Sequence, residues 1–328
     1  MTRFPDNKAF AFTIFDDTDL STVENVIPIY RLLTELGMRT TKSVWPLASV
    51  PGARFDGATL QERSYLHFIE GLQDSGFEIA LHNVRNGDST RDQVHRGIEE
   101  FRRLLGRYPR AHANHSSNRE NIYWGTARFN TLAPLYRAAD SLRGLSFPMF
   151  EGHLQNSPFF WGDLCRDHIT YVRNFTFAEI NLDRVNPSLP YNDPRRPFVK
   201  AWFSSSDGGD AQSFCDLLSE AKQDRLEAEG GVAIVYTHFA CGFVRNGTTH
   251  PRVEMLLRRL ALKNGWFVPV STLLDYLGAR RGLSISNAEL AAMECRWLRD
   301  RITFECAKRL RHFRPRSNTL PELSSASA

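Results

Sequence analysis

Residues 10–16 (FAFTIFD) form an apolar run that ends on two adjacent carboxylates, Asp16 and Asp17. The run reads as a buried strand. A helix is expected after it over 22–36, with Val26, Ile29, Leu33 and Leu36 on one face and Gly37 as its stop. The same alternation recurs along the chain. Strands are expected at 39–45, 77–82, 110–115, 198–203, 231–238 and 266–270, and helices at 59–75, 89–105, 119–138, 211–228, 251–263 and 271–278. Residues 141–200, rich in Pro, Asn and aromatics, read as loops with short strands. Strands that alternate with helices imply a mainly parallel sheet covered by helices. The ends of at least four strands carry Asp or His: Asp16/Asp17, His82, His112/His115 and His238. A closed barrel gathers such ends on one face, whereas an open sheet sets them in a row. The expected fold is therefore α/β, a distorted (β/α) barrel.

The chain of 328 residues is 42% hydrophobic and 24% charged, which supplies a sizeable core for one large domain or two small ones. A net charge of +4 is too weak to argue for nucleic acid, and no RRM, zinc-finger or P-loop pattern is present. The five cysteines are scattered without a C-x-x-C, which excludes a disulfide framework and a structural zinc site and fits a reducing compartment. The first residues lack an apolar run of signal-peptide length, so a cytoplasmic location is expected. Residues 1–280 are expected to form the barrel domain, 281–316 a basic helical extension and 317–328 a disordered tail. The helix expected at 287–313 carries Leu290, Met293, Trp297 and Phe304 near one face. Its Arg296, Arg299, Arg301, Lys308, Arg309 and Arg311, with Arg314 just beyond, are either solvated or a contact for a membrane surface or a phosphate-bearing substrate.

Two neighbouring acids at the end of a buried strand repel each other and are costly to desolvate. A metal ion, a shared proton or a basic neighbour would relieve them; a solvated turn, with Asp19 extending the acidic patch, would carry the same residues. Asp17 and His82 both end strands, and His112 and His115 follow at another. Mixed carboxylate and imidazole ligands suit zinc, and two His with one carboxylate leave positions open for water and substrate.

The order of these motifs resembles the polysaccharide deacetylase family (carbohydrate esterase family 4). Phe15-Asp16-Asp17 is similar to its first motif, Gly76–His82 to its second, Gly106–Pro109 to the lead-in of its third, and Gly231–His238 to its last. The segment 250–277 resembles the family's closing helix–strand–helix, so the resemblance spans roughly residues 8–278. It implies the family's (β/α) barrel and a metal-dependent hydrolase that removes an N-acyl group from an amino sugar. A cytoplasmic setting would suit a nucleotide- or lipid-linked sugar in surface polysaccharide assembly. By the same resemblance Asp16 is the catalytic base, Asp17 and His82 bind the metal, and His238 is the general acid. Two departures stand out. Asn86 occupies the place of the family's second metal histidine, and Ala113-Asn114-His115-Ser116 replaces a motif with an arginine and paired prolines. His115 is therefore assigned as the third ligand, with His112 and Asn86 as alternatives, and Arg85 or Arg119 as substitutes for the missing arginine. Zinc is the expected ion and an N-acylated sugar the expected partner, with no nucleic acid. The alternatives are a C–N hydrolase acting on a non-sugar amide and an inactive, glycan-binding or scaffold relative. His250 reads as a capping residue. His153 and His168 could reach the site. Trp124, Phe159, Phe160 and Trp161 are either sugar-stacking platforms or core.

Overall fold

The computed structural model describes residues 4–53, 55–115, 118–142 and 149–313, excepting the side chains of 140 and 304–313. Seven parallel strands close into a barrel: β1 (Phe10–Asp16), β2 (Thr41–Val44), β3 (Glu78–Leu81), β4 (Ala111–His112), β5 (Tyr171–Phe177), β6 (Ala201–Asp207) and β7 (Val232–Thr237). Closure is the pairing of β1 with β7, from Ala11↔Val232 to Asp16↔Thr237. On the other side of β1 the barrel is split. β10 (Gly265–Phe267) pairs with residues 10–12, and β2 pairs only with Phe15 and Asp16. A two-stranded hairpin, β8 (Val244–Arg245) with β9 (Thr248–Thr249), lies outside the barrel sheet.

Helices cover the outside, in chain order α1 (Val23–Glu35), α2 (Arg63–Asp74), α3 (Arg91–Leu105), α4 (Ala133–Leu142), α5 (Gly162–His168), α6 (Ala211–Leu217), α7 (Glu220–Glu229), α8 (Pro251–Ala261), α9 (Val270–Arg281) and α10 (Asn287–Phe313). Because β1 is buried on both faces, it reads as a continuous apolar run. α1 starts at a capping box on Thr22 and Asn25, buries Val26, Ile29 and Leu33, and is followed by Gly37 at φ +69.

Five sequence expectations shift. The helix expected at 119–138 is irregular as far as 132, with a 3₁₀ turn at Gly125–Arg128, and becomes helical only in α4. Asn114 pins Ile122 through both its backbone N–H and its carbonyl, which holds the first part of that segment out of a helix. The helix expected at 211–228 is two, α6 and α7. The strand at 110–115 is two residues long, and the strand expected at 198–203 runs later, over Ala201–Asp207. The stretch 141–200 holds a regular seven-residue strand, β5, which Arg173 and Asn174 hide by interrupting its apolar pattern.

α10 spans the expected residues and packs on β5. Leu290, Met293 and Trp297 are buried, each worth about 1.5–3 kcal/mol relative to exposure. Arg296 donates to the Val185 carbonyl and Arg301 to that of Thr176. The side chains of Phe304, Lys308, Arg309 and Arg311, together with Arg314 and the tail 317–328, lie outside the described residues. No described helix is long and apolar enough to cross a membrane.

Candidate metal and catalytic site

Successive residues of a strand face opposite sides. Phe15 meets Phe203 of β6, so the odd-numbered residues of β1 face the barrel interior. Asp17 prolongs that series. Its N–H donates to the Thr237 carbonyl at 2.8 Å, and its carboxylate takes a bidentate pair from Arg173 of β5, at 3.0 and 2.6 Å. Burial opposes ionisation of Asp17, but Arg173 and His82 outweigh it and hold its pKa below the ordinary value.

Asp16 points the other way, into the layer between β1, α1 and β2. Its Oδ2 accepts from the Tyr30 hydroxyl at 2.9 Å and lies 2.9 Å from Lys42 Nζ, while its Oδ1 accepts from Phe239 N–H at 2.8 Å. Asp16 and Lys42 are fully buried. Burial pushes the Asp16 carboxyl up against the pull of Lys42, but its three donors are those of an ionised carboxylate.

Beyond Asp17 the chain turns. Ser21 N–H bonds the Thr18 carbonyl and Leu20 adopts φ +62, which swings Asp19 over the open end of the barrel. Asp19 Oδ1 lies 3.4 Å from His82 Nε2 and 3.3 Å from His115 Nε2, and its Oδ2 lies 3.3 Å from His238 Nε2. Asp17 Oδ2 is 3.9 Å from His82 Nε2. The barrel thus gathers His82, His115, His238 and Asp17, as the sequence led us to expect, and adds Asp19. Asp16 it sets apart.

The two imidazoles are held in one tautomer. His82 Nδ1 is 3.0 Å from the Ala113 carbonyl, which can only accept, so Nδ1 carries the proton and Nε2 a lone pair. His115 Nδ1 faces Asn118 Oδ1 at 3.0 Å. The Asn118 amide is oriented by its Nδ2, which donates to the carbonyls of Arg85 and Gly87 and to Glu120. Glu120 also accepts from Asn83 Nδ2 and Ser89 N–H, and Asn83 Oδ1 accepts from His115 N–H. Burial raises the Glu120 carboxyl to about 7. This buried net ties the residue after His82 to the backbone and ring of His115.

Asp19, His82 and His115 offer ligand atoms that all lie within 4.8 Å of one another. His115 Nε2 and Asp19 Oδ1 are buried and have no hydrogen-bond partner. Burial opposes the charged form of His115, but Asp19 favours it and raises its pKa. A neutral imidazole nitrogen facing a carboxylate oxygen in a protein interior is costly unless a proton or a divalent cation lies between them. The residues present fit such an ion. Trp45 and Phe55 wall the site, their rings edge-on to His115 at 5.4 and 5.5 Å.

His238, at the end of β7, is anchored by Nδ1 to the Gly209 carbonyl at 2.9 Å. Burial disfavours its charged form, but Asp19 and Asp17 overcome this and lift its pKa to about 9.

The other candidates have different occupations. Asn86 donates to the Phe55 carbonyl and so holds the loop over His115. His112 is packed edge-on to Trp161, near Asn114, and burial pushes its pKa down to about 3. Arg85 bonds Asp88, Ser89 and Gln93, and Arg119 pairs with Glu151. The arginine that meets an acid of the opening motif is Arg173. His250 caps α8, His168 stacks on Tyr108, and His153 lies against Tyr123. Trp161 is core, with its indole N–H on the Glu120 carbonyl at 2.6 Å. Phe159 and Phe160 lie under Arg119 and Arg91, and Trp124 lies under Arg128. Ser116 is outside the described residues.

Solved structures of similar shape extend over most of the chain. The allantoinase PuuE superposes with a TM-score of 0.50 at 13% identity, covering 86% of this chain and 94% of that one. The likeness is one of fold. Two proteins assigned as polysaccharide deacetylases, from Mycobacterium smegmatis and Pseudomonas aeruginosa PAO1, superpose with a TM-score of 0.47 each. They are 13% and 12% identical, covering 87% and 86% of this chain and 96% and 95% of theirs. No family model matches the sequence, and no curated protein does.

Proposed function

We propose that the protein is a metal-dependent amide hydrolase of the deacetylase type, which removes an N-acyl group from an amino sugar. The observation that carries this reading is the convergence of Asp19, His82 and His115 at the open end of the barrel, with two of their ligand atoms unsatisfied. In this reading Asp19, His82 and His115 hold the ion, with zinc as the best match to the donor set. Asp19 takes the ligand role expected of Asp17, because the Asp17 carboxylate is engaged by Arg173.

When bound, such an ion supplies Lewis acidity that polarises the acyl carbonyl and acidifies water. The protein's own groups supply the rest. Asp17, kept ionised by Arg173 beside His82, takes the proton of the attacking water, the role expected of Asp16. Asp16 instead positions: through Phe239 N–H it fixes the residue after His238. His238, protonated at neutral pH, gives its proton to the leaving amine.

The test is release of acetate from a panel of N-acetylated amino sugars, before chelation, after it, and after zinc is restored. Turnover that disappears with the metal and returns with it is expected. Turnover unaffected by chelation would overturn the reading, and turnover confined to non-sugar amides would move it to a different C–N hydrolase.

A further inference from the structure

Beside β5 and α10, one arginine has no acid to pair with among the described residues. Arg173 is matched by Asp17, Arg301 lies 3.4 Å from Asp207, and Arg196 is matched by Asp193. Arg128, on the segment between β4 and β5 that also carries His115, has no carboxylate partner among the described residues. Its guanidinium carbon lies 3.7 Å from the Trp124 ring centroid, with Phe175 at 5.7 Å and Phe129 and Trp297 at 6.0 Å. Its Nε is enclosed without a hydrogen-bond partner, while the residue as a whole is half-buried. Burial and the charges of Arg301 and Arg173 work against its protonated form and push its pKa down to about 10.

An unpaired guanidinium in such surroundings is costly unless something anionic completes it. The aromatic cradle fixes the plane of the fork, and a planar fork held in one orientation matches the two oxygens of a carboxylate or phosphate. Arg173, whose charge reaches Arg128, is the residue that grips Asp17 beside His82. We propose that Arg128 is an anion subsite of the candidate active site, so that the substrate carries a phosphate or carboxylate in addition to its acyl amide. This rests on the hydrolase reading and narrows its substrate to acidic N-acyl sugars.

The test is calorimetric titration of the zinc-loaded protein with N-acetylglucosamine, N-acetylglucosamine 1-phosphate and N-acetylmuramic acid. One of the two acidic probes is expected to bind at least about tenfold tighter than the neutral sugar, and which one identifies the anion. Arg128→Met, which keeps an apolar side chain in the aromatic cradle, should abolish that preference and leave zinc content unchanged. Arg128→Lys should keep part of it. Equal affinity for all three probes, no binding of any, or a preference that survives Arg128→Met would overturn the proposal. An Arg128-dependent preference in a protein without zinc or deacylase activity would count against the catalytic reading alone.

Discussion

Asp16→Asn is expected to destabilise the fold by about 3–5 kcal/mol, because it leaves the buried Lys42 ammonium without its counter-charge. The measurement is urea unfolding, and the double variant Asp16→Asn/Lys42→Met should recover much of the loss. A base facing substrate would behave differently, costing turnover at unchanged stability. The two acids were legible as special, because adjacent carboxylates at the end of a buried strand need an explanation. The roles expected of them, base for Asp16 and metal ligand for Asp17, rested on the resemblance, and the surroundings of the two acids point to a different division. Period-two alternation places Asp17 with Thr13 and Phe15 inside the barrel and Asp16 with Ile14 outside. Asp19 was not legible as a ligand, because it lies past the strand in a turn whose Leu20 takes a left-handed conformation. Asn118 is expected to be a positioning residue: Asn118→Leu removes the acceptor that fixes the His115 tautomer and should weaken zinc binding about 10–100-fold. A competitive zinc titration with the folded variant checks this, and unchanged affinity would remove Asn118 from that role.

At the scale of elements, α10 behaves as part of the barrel's cladding. Trp297→Ala should cost about 3–5 kcal/mol in unfolding, since its ring packs on Phe129, Tyr136 and Phe175. A helix merely lying on the surface would lose far less. The stripe of Leu290, Met293 and Trp297 was readable from spacing alone, as were α1 and α3. Two parts of the site's framework were not. β5 hides behind its polar Arg173 and Asn174, and the segment after β4 holds its shape through Asn114, Asn118, Glu120 and Asn121 instead of a repeating apolar pattern. Both depend on partners distant in sequence: Arg173 reaches Asp17 across 156 positions, and Asn83 reaches Glu120 across 37.

At the scale of the whole molecule, the alternation of strands and helices with polar strand ends was enough to anticipate a (β/α) barrel and the end at which Asp17, His82, His115 and His238 come together. The split beside β1, where β10 takes the place of β2 along residues 10–12, could not be anticipated from periodicity. A metal held by residues that follow β1, β3 and β4 should fasten the mouth of the barrel. With zinc at about 100 times its dissociation constant, chelation should lower stability by about 2.7 kcal/mol and Tm by roughly 4 °C, read by differential scanning calorimetry.

The most direct test is the zinc content of folded wild-type, Asp19→Ala and Asp17→Asn proteins purified from zinc-replete medium. About one equivalent in the wild type and in Asp17→Asn, with less than about a tenth in Asp19→Ala, is the expected result. Full occupancy in Asp19→Ala, or its loss in Asp17→Asn alone, would contradict the assignment of Asp19 with His82 and His115 as the metal site.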